Sequence, residues 1–147
     1  MKPIVVSTTT DRSREEVYEF LDVLANHEPF TDHMLVDWEC EGPAAGVGAK
    51  ATMRTNAPGP AQWIRMEVVE ARAPEMIAEE AVSHGGKRRT RGTYALTDRP
   101  GGGTDVRFEL RYLETPLGDR LASPLLRAWL KRANQRAMDR LAGALAR

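Results

Sequence analysis

Three histidines, His27, His33 and His84, are the first residues to consider for metal or acid–base chemistry in this 147-residue chain. His27 and His33 lie six positions apart, which does not match the three-to-four spacing that puts two ligands on one helix face. His84 adjoins Gly85-Gly86 in what reads as a turn, and the single cysteine, Cys40, has no thiolate companion. The three therefore read as ordinary loop or surface histidines, and no metal and no cofactor is expected. Covalent chemistry is equally unsupported. There is no Gly-x-Ser-x-Gly elbow, and Cys40 sits between Glu39 and Glu41 on a half-buried strand, which makes it a core filler rather than a nucleophile. Gly101-Gly102-Gly103 joins two strands instead of opening a helix, so it reads as a hairpin loop and not a phosphate cradle.

The remaining candidates come from strand phase. Lys87-Arg88-Arg89-Thr90-Arg91 is basic, but on an alternating strand its members split between two faces. If Tyr94 and Leu96 point to the apolar side, Thr90 and Arg88 do so too. The preceding strand is undecided. Met76, Ala78, Glu80 and Val82 share one face and Ile77, Glu79, Ala81 and Ser83 the other, so each face carries one acid. With the first set inward, Glu80 and Arg88 would meet as a structural ion pair or as a clamp on a ligand, since a buried charge is costly unless paired. Glu80 and Tyr94 are the only groups that suggest themselves for proton transfer.

The elements that position these groups follow from periodicity. Residues 3–10 are rich in β-branched residues and read as a strand. Ser13 followed by Glu16 is a capping box for a helix over 13–24, with Val17, Phe20, Leu21 and Leu24 on one face. Residues 26–33, with Pro29, read as a short second helix or a turn. Alternation then marks strands at 35–41, 47–54, 62–71, 75–83, 87–98 and 104–113, separated by Gly- and Pro-rich turns. Val36, Trp38 and Cys40 share one face of the first of these. Trp63 falls out of phase with Ile64 and Met66 and is expected at the surface or at a bulge. Residues 117–146 read as one long amphipathic helix with Leu126, Leu130, Ala133, Ala137, Leu141 and Ala144 on its stripe, and with Ser123-Pro124 as a kink or the true start.

Consecutive strands without helical crossovers imply an antiparallel meander, and one long terminal helix is the only element large enough to cover its apolar face. Such an arrangement leaves room for a small apolar ligand. A single domain over 1–147 is expected, large enough to bury roughly 70% of its unfolded surface. The charges balance at 21 basic and 21 acidic residues, which argues against nucleic acid as a partner. One cysteine excludes an internal disulfide. No signal-like or membrane-spanning run is visible, so a cytoplasmic protein without an integral membrane segment is expected, as monomer or homodimer.

The order of strand, two short helices, six-strand meander and long C-terminal helix resembles the helix-grip fold of the START-related (SRPBCC) superfamily, which includes polyketide cyclase/dehydrase-like proteins. "STTTDRSREEVYEFL" is similar to the family's opening strand and helix, "GPAAGVGAKATM" to its turn and glycine-containing strand, "GTYALTDRPGGGTDVRFELRY" to its last hairpin, and "LLRAWLKRANQRAMDRLAGAL" to its closing helix. The resemblance covers essentially the whole chain. It implies an α+β fold, a curved antiparallel sheet of about seven strands around the long helix, with a hydrophobic cavity between them that takes lipids, polyketides or other apolar molecules. No catalytic set carries over from it. Candidate wall residues are Trp38, Met53, Met66, Phe108, Trp129 and Leu130, with Tyr94, Tyr112, Arg88 and Glu80 orienting the ligand's polar end. Two further readings stand beside ligand binding: a polyketide cyclase/dehydratase-like enzyme, and a ligand-free interaction or stress-response module.

Overall fold

The computed structural model describes residues Met1–Arg147. Seven strands form one antiparallel sheet: β1 (Ile4–Thr10), β2 (Leu35–Glu41), β3 (Lys50–Thr55), β4 (Trp63–Arg72), β5 (Met76–Ser83), β6 (Arg88–Asp98) and β7 (Thr104–Glu114). Their order in space is β1-β7-β6-β5-β4-β3-β2. Each strand from β2 onward pairs with the next in sequence, and β1 closes the far edge against β7, with Ile4 opposite Leu110 and Thr10 opposite Thr104. Register shifts in β2, β4 and β6 add local bends to a sheet that already twists, and the sheet curves.

Between β1 and β2 the chain is helical. The Ser13 hydroxyl accepts from the Glu16 amide at 3.2 Å while the Glu16 carboxylate accepts from the Ser13 amide at 3.3 Å. This reciprocal cap starts α1 (Arg14–Asp22), which buries Val17, Tyr18 and Leu21. A 3-10 turn over Leu24–His27 leads into α2 (Glu28–Thr31), whose Pro29 sits in the first turn where a missing N–H costs nothing. After β7 come α3 (Leu117–Leu121) and α4 (Ser123–Leu145). A cluster of 19 buried residues joins the concave face of the sheet to α1 and α4 through Val6, Met53, Ile77, Val106, Met138 and Leu141, among others. No helix is long and apolar enough to cross a membrane.

Several expectations need correction. The C-terminal helix is two helices, because the chain leaves helical geometry at Ala122. The second helix does start at Ser123-Pro124, as that pair suggests, but Ala122 rather than Ser123 occupies its cap position, and Pro124 takes the first turn. The buried stripe of α4 includes Asn134, Met138 and Leu145, and Ala144 is only half-buried. β3 starts at Lys50, leaving Val47 exposed in the preceding turn. Cys40 is exposed rather than a core filler. The cause is a bulge between Val36 and Glu39, where Asp37 adopts φ 57°, so the simple alternation of β2 fails beyond it. Trp63 is exposed, as its phase suggests.

Candidate functional site

Between the concave face of the sheet and α4 lies a cavity of about 200 Å³. Of its 23 lining residues 14 are hydrophobic, so its walls favour an apolar occupant, with polar groups gathered in two places.

The first polar place surrounds Arg88. Its Nε donates to Asp119 Oδ2 at 2.7 Å and its Nη2 to Asp119 Oδ1 at 2.6 Å, a bidentate pair, while Nη1 donates to Gln62 Oε1 at 2.7 Å and to Ser83 Oγ at 3.4 Å. β6 delivers Arg88 inward in phase with Thr90 and Tyr94, and α3 supplies the acid. The hydrogen bonds to Asp119 hold the Arg88 guanidinium above its usual range. Burial works to raise the Asp119 carboxyl, but the Arg88 hydrogen bonds and charge outweigh it and hold it below the ordinary carboxylate value. The Tyr112 phenol beside them is pushed up, by burial first and the Asp119 charge second.

The second place is deeper. Glu79 on β5 and His27 on the 3-10 turn both line the cavity, with side-chain exposures of 7% and 2%. Glu79 Oε2 has no hydrogen-bond partner. It lies 3.9 Å from His27 Nδ1, too far for a hydrogen bond. His27 Nε2 lies 2.7 Å from the Leu21 carbonyl oxygen. A carbonyl only accepts, so Nε2 carries the hydrogen and Nδ1 keeps its lone pair. Burial pushes Glu79 up to about 8 and His27 down to about 4, so near pH 7 the two face each other as a carboxylic acid and a neutral imidazole. Tyr94 completes the corner, its ring edge-on to His27 at 5.5 Å, its phenol driven well above the ordinary value by burial and then by the Glu79 charge.

Glu79 gains its position from a glycine. Gly92 stands opposite it in the β5–β6 register, and a Cβ there would meet the Phe108 ring at 2.9 Å and Glu79 Cγ at 3.5 Å. The absent side chain lets Phe108 lie across β6, where it packs on Tyr94 at 4.7 Å between centroids.

Of the residues singled out by sequence, Trp38, Met66, Arg88, Tyr94, Phe108, Tyr112, Trp129 and Leu130 all border the cavity. Met53 does not. It is fully enclosed in the core cluster. Glu80 is also displaced from the site, and the Glu80–Arg88 pair does not form. Ile77, Glu79, Ala81 and Ser83 take the inner face, so Glu80 points outward and receives Arg91 at 3.0 Å, with Glu70 accepting the other Arg91 nitrogen at 2.8 Å. His27 is no surface histidine. It is buried because Leu24, His27 and Phe30, spaced by three, turn one helical face to the core. That spacing was the available signal for His27, and Gly92 opposite Glu79 was the signal for β5. His33 ties the turn after α2 to α4, donating to the Ala133 carbonyl at 2.9 Å and accepting from Arg140 at 2.7 Å. His84 lies exposed in the β5–β6 turn.

A curved seven-strand sheet closed by a long helix over an apolar cavity with polar ends defines a helix-grip protein. The family model for polyketide cyclase / dehydrase and lipid transport proteins matches residues 1–146, and the chain belongs to that family. Among solved structures, the chain is similar to the Zhui aromatase/cyclase from Streptomyces sp. R1128, with TM-score 0.81, 12% identity and coverage of 99% of this chain and 94% of that one. It is similar to TTHA0849 from Thermus thermophilus, with TM-score 0.77, 18% identity and coverage of 99% and 97%. The solution structure of KanY gives TM-score 0.78 at 10% identity, covering 99% and 98%. At these identities the likeness is one of fold. Among curated proteins, none matches the chain significantly by sequence.

Proposed function

We propose that the protein binds one small apolar or amphipathic molecule, of the lipid or polyketide kind, in the space between the sheet and α4. The observation that carries this reading is the cavity itself: about 200 Å³ left open inside an otherwise packed core and lined mainly by apolar side chains. An apolar cavity of roughly 150 Å³ is enough for benzene, so this one suits a ligand of one or two fused rings. Burying the ligand's hydrocarbon supplies most of the affinity. Trp38, Met66, Phe108 and Trp129 form the walls, and Tyr94 and Tyr112 offer polar tips. Arg88 contributes less than its charge suggests, because Asp119, Gln62 and Ser83 already occupy it.

Native mass spectrometry of the purified protein, before and after solvent extraction, tests the reading together with a tryptophan-fluorescence titration. A co-purifying apolar molecule, or saturable quenching by bicyclic ketones or medium-chain fatty acids, is expected. A clean apo mass together with no response to either probe class would overturn it. A second reading, an interaction module, draws on Leu117, Leu121 and Leu125, all of them more than two-thirds exposed at 71%, 78% and 80%. Sedimentation across a hundredfold concentration range separates the two, since only the second requires self-association or a protein partner.

A further inference from the structure

Glu79 and His27 are costly where they stand. A buried polar atom is ordinarily hydrogen-bonded, and leaving one unsatisfied costs about 1–3 kcal/mol. A carboxyl kept only for structure at this depth would be paired or bonded to backbone; Glu79 Oε2 is neither, although His27 Nδ1 faces it. The pair presents a hydrogen-bond donor and a lone-pair acceptor side by side at the end of an apolar cavity. No other charged group faces them. Tyr94 on β6 is the one further titratable neighbour, and burial alone accounts for the state of Glu79.

We infer that Glu79 and His27 are an acid–base couple that moves a proton between the α-carbon and the oxygen of a ketone held in the cavity, so that the protein isomerises flat apolar ketones and their enols. This deepens the ligand-binding reading and rests on it. In the step, the Glu79 carboxylic acid donates to the carbonyl oxygen while His27 Nδ1 takes the α-proton. The C–H electron pair becomes the C=C bond, and the C=O π pair takes the Glu79 proton. An enol, a Glu79 carboxylate and a His27 imidazolium result. The imidazolium and the carboxylate, now oppositely charged, draw together from 3.9 Å to hydrogen-bond distance, and the Nδ1 proton returns to Glu79. The net change is one proton moved from carbon to oxygen, with no oxidant, reductant or co-reactant. The spacing suits this. The two reacting positions of an enolisable ketone are separated by one bond angle, and an acid and a base 3.9 Å apart can straddle them. The hydrogen bond to Leu21 fixes which imidazole nitrogen acts.

The test uses 2-tetralone, a bicyclic ketone, in heavy water. Binding is followed by tryptophan quenching and deuterium uptake at the α-carbons by proton NMR. Wild-type protein is expected to accelerate uptake by about 10²-fold or more over buffer at equal pH, the usual yield of positioned acid–base catalysis. Glu79→Gln, which keeps the shape and removes the acid, is expected to lose at least ~10-fold of that rate while quenching stays within a few-fold. Should that variant not fold, the wild-type pH profile decides. Acceleration should hold between about 4 and about 8 and fall on both sides, where His27 protonates or Glu79 ionises. Ketone that binds but exchanges no faster than in buffer overturns the proposal and leaves the binding reading standing. So does acceleration that climbs steadily through pH 8 or survives Glu79→Gln. Ketone that does not quench, on protein free of co-purified ligand, overturns the proposal, and the binding reading falls with it when medium-chain fatty acids fail to quench as well.

Discussion

The two polar corners of the cavity handle the same problem in opposite ways. Around Arg88 every strong donor is used: four hydrogen bonds, two of them to one carboxylate, hold a full positive and a full negative charge together. Around Glu79 the facing atoms are unused: His27 spends Nε2 on the Leu21 carbonyl, while its Nδ1 and Glu79 Oε2 stay 3.9 Å apart, each group in its uncharged form. Saturated charges are stable and have no capacity left over, so the Arg88 corner serves as architecture, joining β6 to α3. Unsatisfied neutral groups cost stability and keep their bonding capacity for something that arrives. The contrast locates chemistry where polar groups are poorest in partners, not where charge is densest.

The largest effect is expected from breaking the satisfied corner. Arg88→Met strands Asp119, whose side chain is only 11% exposed. The cost should be about 2–4 kcal/mol, at the lower part of the range for buried pairs because Arg88 itself keeps partial contact with solvent. Urea unfolding measures it, and the double variant Arg88→Met/Asp119→Asn should recover at least half. A single-variant loss below ~0.5 kcal/mol would make the corner an ordinary solvated pair and dissolve the comparison.

Next in size is Gly92→Val. Even a Cβ reaches the Phe108 ring at 2.9 Å, so two more methyl groups must displace Phe108 or Glu79. A destabilisation of about 1–3 kcal/mol is expected, with weaker ligand quenching because the space between the corners shrinks.

A smaller effect, but a more specific one, comes from pH. Unfolded, Glu79 titrates near 4.5 and His27 near 6.5; folded, burial moves them to about 8 and about 4. Between 4.5 and 6.5 the two oppose each other: raising pH releases the unfolded chain's His27 proton, which favours folding, and its Glu79 proton, which disfavours it. Between 6.5 and 8 only Glu79 acts. The folded protein holds a proton that the unfolded chain has lost, so stability falls as pH rises. Thermal melts from pH 6 to 9 should show a declining Tm in wild type and a flatter line in Glu79→Gln. Parallel declines would mean that Glu79 is ionised in the fold and that the two corners are alike.

The smallest change is expected from Leu121→Gln. The side chain is already 78% exposed, so stability should move by less than about 0.5 kcal/mol, and ligand quenching should not change.

Much of this architecture could be read from the residues. The alternation of β7 from Thr104 to Tyr112 and the Ser13–Glu16 cap are local patterns, and each needs only its own few residues to be satisfied. The site was harder. Met76–Ser83 carries adjacent glutamates, so period two cannot choose a face; the choice is made by neighbours, Arg91 opposite Glu80 and the small Gly92 opposite Glu79. Asp37 in the left-handed region threw off the phase of β2 and with it the placement of Cys40. The ion pair between Arg88 and Asp119 spans 31 positions, and nothing in the local pattern links them. Met53 and Met66 look alike in sequence, and only tertiary packing separates them: Met53 is fully enclosed in the core, while Met66 borders the cavity.

The edge pairing of β1 with β7 also bears on how the molecule is made. Ile4 must find Leu110, so β1 has no partner until β7 exists. Arg12 then fastens to the carbonyls of Leu145 and Arg147, and Arg127 to those of Lys2 and Pro3, joining the two ends of the chain. Closing so long a loop is entropically costly and slow. During that interval β1 and the free side of β7 are both unpaired edges, open to the wrong neighbour. The meander from β2 to β7 can assemble from adjacent hairpins, and the sheet gains its last strand only when β1 arrives. Folding of this protein should therefore be limited by its longest-range contact, and its vulnerability to aggregation should be concentrated in the time before that contact forms.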